Sequence, residues 1–392
     1  MSALIDEIDF KGIEFLMFVL EELADKLESK GKDVIKLTLG KSQEILHPDI
    51  IDAHIKAIED PEKRNRVYPE GLPELRSKIA DWYTSMGNKV NKKNVLVNTG
   101  TSPFFKDLFR LMIEDGEEIL IPGPYYSVYY VCALLAKAKV KYYSVDPETL
   151  KIDMDSLREN YDPEKTKFIV FCSPGNPYGN VVSEDEYKEV LEMISDKTYI
   201  LSDEIYRNTG FYDKVPSLLD IAENRDNIII SNSFSKGFRM YTARVGFCIL
   251  PEKLLEPFRV LLQHTLLTTN PTEQYAAVEA LNHLEEVRNL TETYRQRSEY
   301  TNKKLSEINE IKVIKAQGGF YTVIDATKFI EKHNINGSFE LAKDILEQTG
   351  VAVVPGSDFG LPNGLRISFT HLRFNEGIDR LHKYFSKNIL YE

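Results

Sequence analysis

Between about His47 and His283, short apolar runs alternate with amphipathic stretches, and several runs stop abruptly in polar residues, glycine and proline. Runs that are apolar from end to end are strands covered on both faces, so the pattern predicts a mostly parallel sheet with helices on each side. Ligands of such sheets bind beyond the carboxyl ends of the strands. Three of those ends carry chemistry. Ile228-Ile-Ile-Ser231 runs into Ser233-Phe-Ser235-Lys236, and Arg244 precedes the next apolar run, Val245-Gly-Phe-Cys-Ile-Leu250. Lys167-Phe-Ile-Val-Phe-Cys172 ends in Ser173-Pro-Gly-Asn176-Pro-Tyr-Gly179, and Tyr199-Ile-Leu-Ser202 ends in Asp203-Glu204-Ile-Tyr206.

Each piece alone has an ordinary reading. A serine-rich turn with lysine is a solvated loop, Asn-Pro starts a turn, and Asp after a strand caps a helix. Glu204 reads as a cap or an outward-facing side chain. Together the pieces describe one ligand. Two hydroxyls and a guanidinium, from Ser233, Ser235 and Arg244, suit a phosphate dianion. Lys236 suits an aldehyde, Asn176 and Tyr206 a ring oxygen, and Asp203 a protonated ring nitrogen. Pyridoxal 5′-phosphate carries all four groups, and a lysine Schiff base with an Asp partner on the ring nitrogen marks its sites.

With these residues in place the chain resembles the class I/II aminotransferases of the aspartate-aminotransferase superfamily, which are fold-type I pyridoxal-phosphate enzymes. The resemblance spans nearly the whole chain, through Gly31-Lys-Asp-Val-Ile-Lys-Leu-Thr-Leu-Gly40, Tyr68-Pro-Glu-Gly71, Asn98-Thr-Gly100-Thr-Ser102, Pro124-Tyr-Tyr126-Ser-Val-Tyr129, Gly318-Gly-Phe-Tyr321 and Leu365-Arg366-Ile-Ser-Phe369. It implies an α/β fold with a three-layer αβα large domain, a mostly parallel seven-stranded sheet and a smaller α+β domain. It places the cofactor phosphate on the amides of Gly100 and Thr101 and on Ser102, where a small-residue turn opens a helix predicted from Phe104 to Ile113. Tyr126 matches the aromatic that stacks on the cofactor ring, with Tyr125, Tyr129 and Tyr130 as competitors. Tyr68 matches a tyrosine that reaches the phosphate of the neighbouring subunit, which implies a homodimer with shared sites. Arg366 matches the clamp for the substrate α-carboxylate, with Gly40 and Asn176 beside it. Catalysis would then fall to Lys236, Asp203 and Tyr206, moving the amino group of an L-amino acid to a 2-oxo acid. A lyase, cyclase or oxidase of the same fold is the rival reading, since all begin from the same Cα carbanion.

The chain departs from that pattern in places. Thr242 stands where the family usually has Gly, Arg239 adds a charge, and Pro103-Phe104-Phe105 replaces small or polar residues. These differences are expected to touch the substrate pocket. Some bacterial aspartate aminotransferases carry a lysine at the place of Ser102 to hold a side-chain carboxylate, and its absence argues against an acidic substrate. Glu44 is a speculative acidic contact, and Arg373 reads as a surface charge.

A chain of 392 residues is long for one core, and the reading divides it at 1–46 (a segment packing on the small domain), 47–283 (the cofactor-binding domain) and 284–392 (the small domain). The last part opens with a long charged helix, Leu284 to Asn309. Short strands follow at Lys312 to Ile314, Gly319 to Ile324, Val351 to Val354 and Arg366 to Phe369. The net charge of −12 argues against nucleic acid or an anionic membrane as partner. Cys132, Cys172 and Cys248 lie in apolar segments without metal spacing, and the seven histidines are dispersed, so no metal is expected. Gly12 to Lys30 reads as an amphipathic helix rather than a signal peptide, and the cytoplasm is the expected location. A regulator built on this fold would carry an added DNA-binding domain, and no basic N-terminal extension is present.

Overall fold

The computed structural model describes residue 8 and residues 13–212, 214–222 and 225–387. Its strands, in chain order, are β1 (Ile35–Lys36), β2 (Val95–Asn98), β3 (Glu118–Gly123), β4 (Lys139–Ser144), β5 (Thr166–Cys172), β6 (Tyr199–Asp203) and β7 (Ile228–Ser233), then β8 (Gly246–Ile249), β9 (Lys312–Ile314), β10 (Tyr321–Asp325), β11 (Val351–Ala352), β12 (Val354–Pro355) and β13 (Gly364–Ser368). Seven of them form one sheet in the order β2-β8-β7-β6-β5-β3-β4. Every pairing from β7 to β4 is parallel, whereas β8 runs against both its neighbours. Residues of β5 and β7 contribute alternately to two apolar clusters, one on each face, which is why those segments are apolar throughout.

The reversed strand is what assembles the site. Asn98 of β2 and Ser233 of β7 both sit opposite Gly246, the first residue of β8. The turn after β2, the turn after β7 and the residues entering β8 therefore emerge side by side. β2 passes directly into the helix Thr101–Met112, capped by Gly100 at φ 91°. That helix starts three residues earlier than expected from sequence. Phe104 and Phe105 face the core, against Phe258 and Tyr129, and do not line the pocket as expected. Helix rotation decides this, since their side of the helix is the apolar stripe that must be buried.

A four-stranded sheet, β12-β13-β10-β9, is built from the C-terminal third. The expected strand Val351 to Val354 is split. β11 pairs in parallel with β1, while β12 pairs with β13, so the N-terminal segment does return to pack on this region. The long helix is Leu284–Leu305 and ends sooner than predicted. The N-terminal helix is Leu16–Ser29, and Gly12 lies outside the described residues. Cys132, Cys172 and Cys248 are buried and unpaired. No helix among the described residues is long and apolar enough to cross a membrane.

The two sheets meet at a seam of glycines. Gly210 bridges Gly318, and the Gln317 N–H donates to Gly179 O at 2.9 Å. A Cβ on Gly318 would lie 2.7 Å from Pro174 Cγ and 2.8 Å from Gly210 Cα, so the backbones approach as closely as they do only without side chains.

Candidate active site

A cavity of about 250 Å³ opens at the carboxyl ends of β5, β6 and β7. Gly40, Thr101, Ser102, Tyr126, Asn176, Asp203, Tyr206, Ser233, Ser235, Lys236, Arg244 and Arg366 all line it. Gly100 borders it through Arg244, whose Nη2 would be 2.6 Å from a Cβ at that position. Tyr68 is the exception. It does not line this chain's cavity, and its N–H donates to Thr268 Oγ1 at 3.4 Å.

Donors for an anion converge where the β8 reversal brings them together. Arg244 Nη1 donates to Ser235 Oγ at 3.3 Å and to Tyr241 O at 3.0 Å. Ser233 Oγ lies 2.8 Å from Ser235 Oγ and accepts from the Ser235 N–H at 3.0 Å, so it also braces the turn. The amides at the start of the helix Thr101–Met112 have no intrahelical acceptors, and such ends attract phosphate.

Asp203 ends β6 and is 2% exposed. Tyr129 donates its hydroxyl to Oδ2 at 2.6 Å, and Ser231 donates to Oδ1 at 3.0 Å. Burial pushes this carboxyl up to about 6, against the pull of those hydrogen bonds. No sequence pattern marks Tyr129 or Ser231 as partners of Asp203, because both reach it only through packing. Glu204, read as a cap or an outward group, is instead buried. It accepts from Tyr83 OH at 3.0 Å and pairs with Arg207 at 3.4 Å.

Lys236 Nζ donates to Gly40 O at 3.0 Å. Tyr206 donates its hydroxyl to that of Tyr321 at 3.3 Å. Burial works to raise both phenols. Tyr206 stays well above its usual value, while the charges of Lys236 and Arg366 draw Tyr321 below it. Tyr321 lines the cavity as well, a role that its Gly-Gly-Phe-Tyr segment does not announce in sequence.

Arg366 sits mid-strand in β13, 3% exposed, with its guanidinium carbon 4.0 Å from the ring centre of Tyr321 and 4.5 Å from that of Phe359. It donates from Nη1 to Asn176 Oδ1 at 3.1 Å and from Nη2 to Thr38 O at 2.8 Å. Its Nε is buried without a hydrogen-bond partner. A buried unpaired donor on a charged group is costly and marks a place for an acceptor. Asn176 thus spends its oxygen on Arg366, leaving its amide nitrogen to donate.

Arg239, Glu44 and Arg373 do not line the cavity. Arg239 pairs with Glu286 at 2.6 Å, Glu44 with Arg297 at 3.5 Å, and the exposed Arg373 with Asp33 at 2.6 Å. Beside the cavity, Asp358 accepts from the N–H groups of Leu16 and Met17, both at 2.9 Å, and so fixes the start of the N-terminal helix. Burial raises Asp358 from 3.8 to about 6, with those N–H groups and Arg366 opposing. The folded chain then holds this proton more firmly than the unfolded chain, so its contribution to stability falls as pH rises from about 4 to about 6. Asp358→Asn should make that decline shallower in urea unfolding measured across this range. An unchanged slope would remove the Asp358 proton from the balance.

The residues fit the cofactor the sequence suggested: an anion cradle, the amine of Lys236, the buried carboxylate of Asp203 and the guanidinium of Arg366 line one cavity. Fold and pocket together define a fold-type I enzyme that uses pyridoxal phosphate. Comparison with known proteins narrows this. Residues 32–381 match the profile of aminotransferase class I and II, and the chain belongs to that family. It is an aminotransferase dependent on pyridoxal phosphate. A probable aspartate/prephenate aminotransferase of Aquifex aeolicus is 30% identical over 92% of this chain and 93% of its own length. The crystal structure of the Thermotoga maritima aspartate aminotransferase superposes with a TM-score of 0.87 at 25% identity, covering 98% of this chain and all of that one. An alanine aminotransferase from Pyrococcus furiosus superposes with a TM-score of 0.87 at 27% identity, covering 96% and 98%.

Proposed function

We propose that this chain moves the amino group of an L-amino acid to a 2-oxo acid, with Lys236 as the amine that would hold the cofactor aldehyde, Asp203 and Tyr206 as the groups that would hold its ring, and Arg366 as the clamp for the substrate carboxylate. The observation that carries this is that Lys236 and Arg366 line one cavity, with the Arg366 guanidinium fixed by Asn176 and Thr38. When bound, the cofactor supplies an electron sink for the pair left at the substrate Cα. Ser235, Arg244 and the amides of Gly100, Thr101 and Ser102 would hold its phosphate. Tyr126 would pack against the ring, and Asn176 with Tyr206 would donate to the ring oxygen. Asp203 would keep a proton on the ring nitrogen, supported by Tyr129 and Ser231. Lys236 Nζ takes the α-proton of the substrate, and Arg366 with Gly40 orients the Cα–H toward it.

Arg366 cannot swing, because it is held between two aromatic rings and two acceptors. Arg366→Lys replaces a planar fork by a point charge. The substrate KM should rise at least about tenfold, roughly 1.4 kcal/mol of binding, with a smaller change in kcat. An unaltered KM across the amino acids tested would take Arg366 out of the site.

The homodimer is also our reading, with Tyr68 serving the neighbouring site. Its support is an apolar stripe on the helix Pro48–Glu59, where Ile51, Ile55 and Ile58 are each more than two-fifths exposed, with the half-exposed Val67 beside Tyr68. Large exposed patches of this kind mark interaction surfaces. Sedimentation should give twice the chain mass. The division at residues 46 and 283 and a cytoplasmic location complete the reading. Buried unpaired cysteines suit a reducing compartment.

A further inference from the structure

We propose that the amino acid taken by this site carries an apolar, preferably aromatic, side chain, and that Phe15, Phe18 and Leu39 form the wall that selects it. The inference rests on the roles given above to Lys236, Arg244 and Arg366.

The charges lining the cavity are few. Among the described residues its cations are Lys236, Arg244 and Arg366, and its one carboxylate is Asp203. Each has a use, in aldehyde, phosphate, α-carboxylate and ring nitrogen. Within one chain, a second carboxylate on the substrate meets no spare cation on this lining, and a basic side chain meets no spare carboxylate. Charges outside the lining are placed otherwise, and Asp358 spends both oxygens on the N–H groups of Leu16 and Met17. Lys41 follows Gly40 but is exposed and does not line the cavity, and Glu44 is paired with Arg297 at 3.5 Å. A charge brought out of water without a partner is strongly disfavoured.

What remains on the lining, toward the N-terminal helix, is apolar: Phe15, Met17, Phe18 and Leu39. The aromatic rings lead outward from the carboxylate clamp. Phe359 lies over Arg366, Phe15 meets Phe359 edge-on at 6.3 Å, and Phe18 meets Phe15 edge-on at 5.6 Å. The side chain of an α-amino acid leaves one bond from its carboxylate, so a substrate clamped by Arg366 has this row beside it. Phe18 is 56% exposed at the rim, where a further ring would cover it in the edge-to-face manner aromatics favour. The wall is built before the ligand arrives, because Asp358 holds the N–H groups of Leu16 and Met17.

The test uses the cofactor-loaded protein and follows single-turnover conversion of bound cofactor to its amine form, so no acceptor need be known. The second-order constant for phenylalanine should exceed those for aspartate, glutamate and arginine by about a hundredfold or more. Phe15→Ala and Phe18→Ala should each lower the phenylalanine-to-alanine ratio about tenfold. A charged amino acid in the lead overturns the proposal while leaving the transamination reading intact, and so does a ratio that neither substitution moves. Binding separates the two ideas further. By calorimetry, 3-phenylpropionate should bind at least tenfold tighter than maleate whether or not turnover occurs, and the reverse order overturns the proposal. Failure of every amino acid to convert, with 3-phenylpropionate still preferred, overturns the transamination reading and leaves the selective wall standing.

Discussion

Lys236→Ala protein, loaded with cofactor and treated with borohydride, yields no labelled peptide spanning position 236, whereas the wild type does. Turnover falls at least about ten-thousandfold, because one substitution removes both the covalent anchor and the group that takes the α-proton, and a positioned base alone accounts for about 10²–10⁴. The cofactor is still retained. Arg244, Ser235 and the helix amides that hold its phosphate are separate from the amine, and the Arg244–Ser235 contact at 3.3 Å does not involve Lys236. Equilibrium dialysis measures that retention. A borohydride adduct at another lysine, or near-normal turnover in the variant, would falsify the assignment.

Asp203→Asn parts activity from stability. A neutral amide cannot balance a protonated ring nitrogen, so kcat should drop about 10²–10³-fold, the scale seen when one preorganised charge-stabilising group is lost. The cofactor-free protein should respond in the opposite sense. Burial raises the Asp203 carboxyl to about 6, so its ionised form weakens the fold, and that loss accrues as pH rises from about 4 to about 6. The amide carries no such charge, and the hydroxyls of Tyr129 and Ser231 can turn to accept from it. At pH 8 the urea midpoint of the variant should be no lower than that of the wild type. A variant that keeps its activity, or one that loses both activity and stability, contradicts the role given to this carboxylate.

Much of this site was legible because strands announce themselves. The apolar runs before Asn176, Asp203 and Lys236 are buried on both faces, and a buried strand must deliver whatever follows it to the sheet edge. Arg244 was readable for a related reason: it stands just ahead of the next apolar run. What the sequence left open is which way helices turn and which strands become partners. Tyr126 and Tyr129 stand three residues apart and both line the cavity, and only packing shows that Tyr129 is the one that reaches Asp203. Phe104 and Phe105 looked like pocket residues, yet the same rotation turns them into the core. Tyr321, Phe359 and Asp358 come from the distant C-terminal third, and local patterns carry no record of that return. The split of Val351 to Val354 has the same origin, since one half finds β1 and the other β13.

The glycine seam has a consequence for the distance across which chemistry can be done. Asn176 belongs to the turn after β5, and Arg366 to the other sheet, and the two are joined at 3.1 Å just beyond the contact of Gly318 with Pro174 and Gly210. A methyl group at position 318 would act as a shim, driving the turn and the guanidinium apart while every polar residue stayed in the sequence. The reach between the turn that carries Asn176 and the carboxylate grip is thus gauged by atoms the chain leaves out.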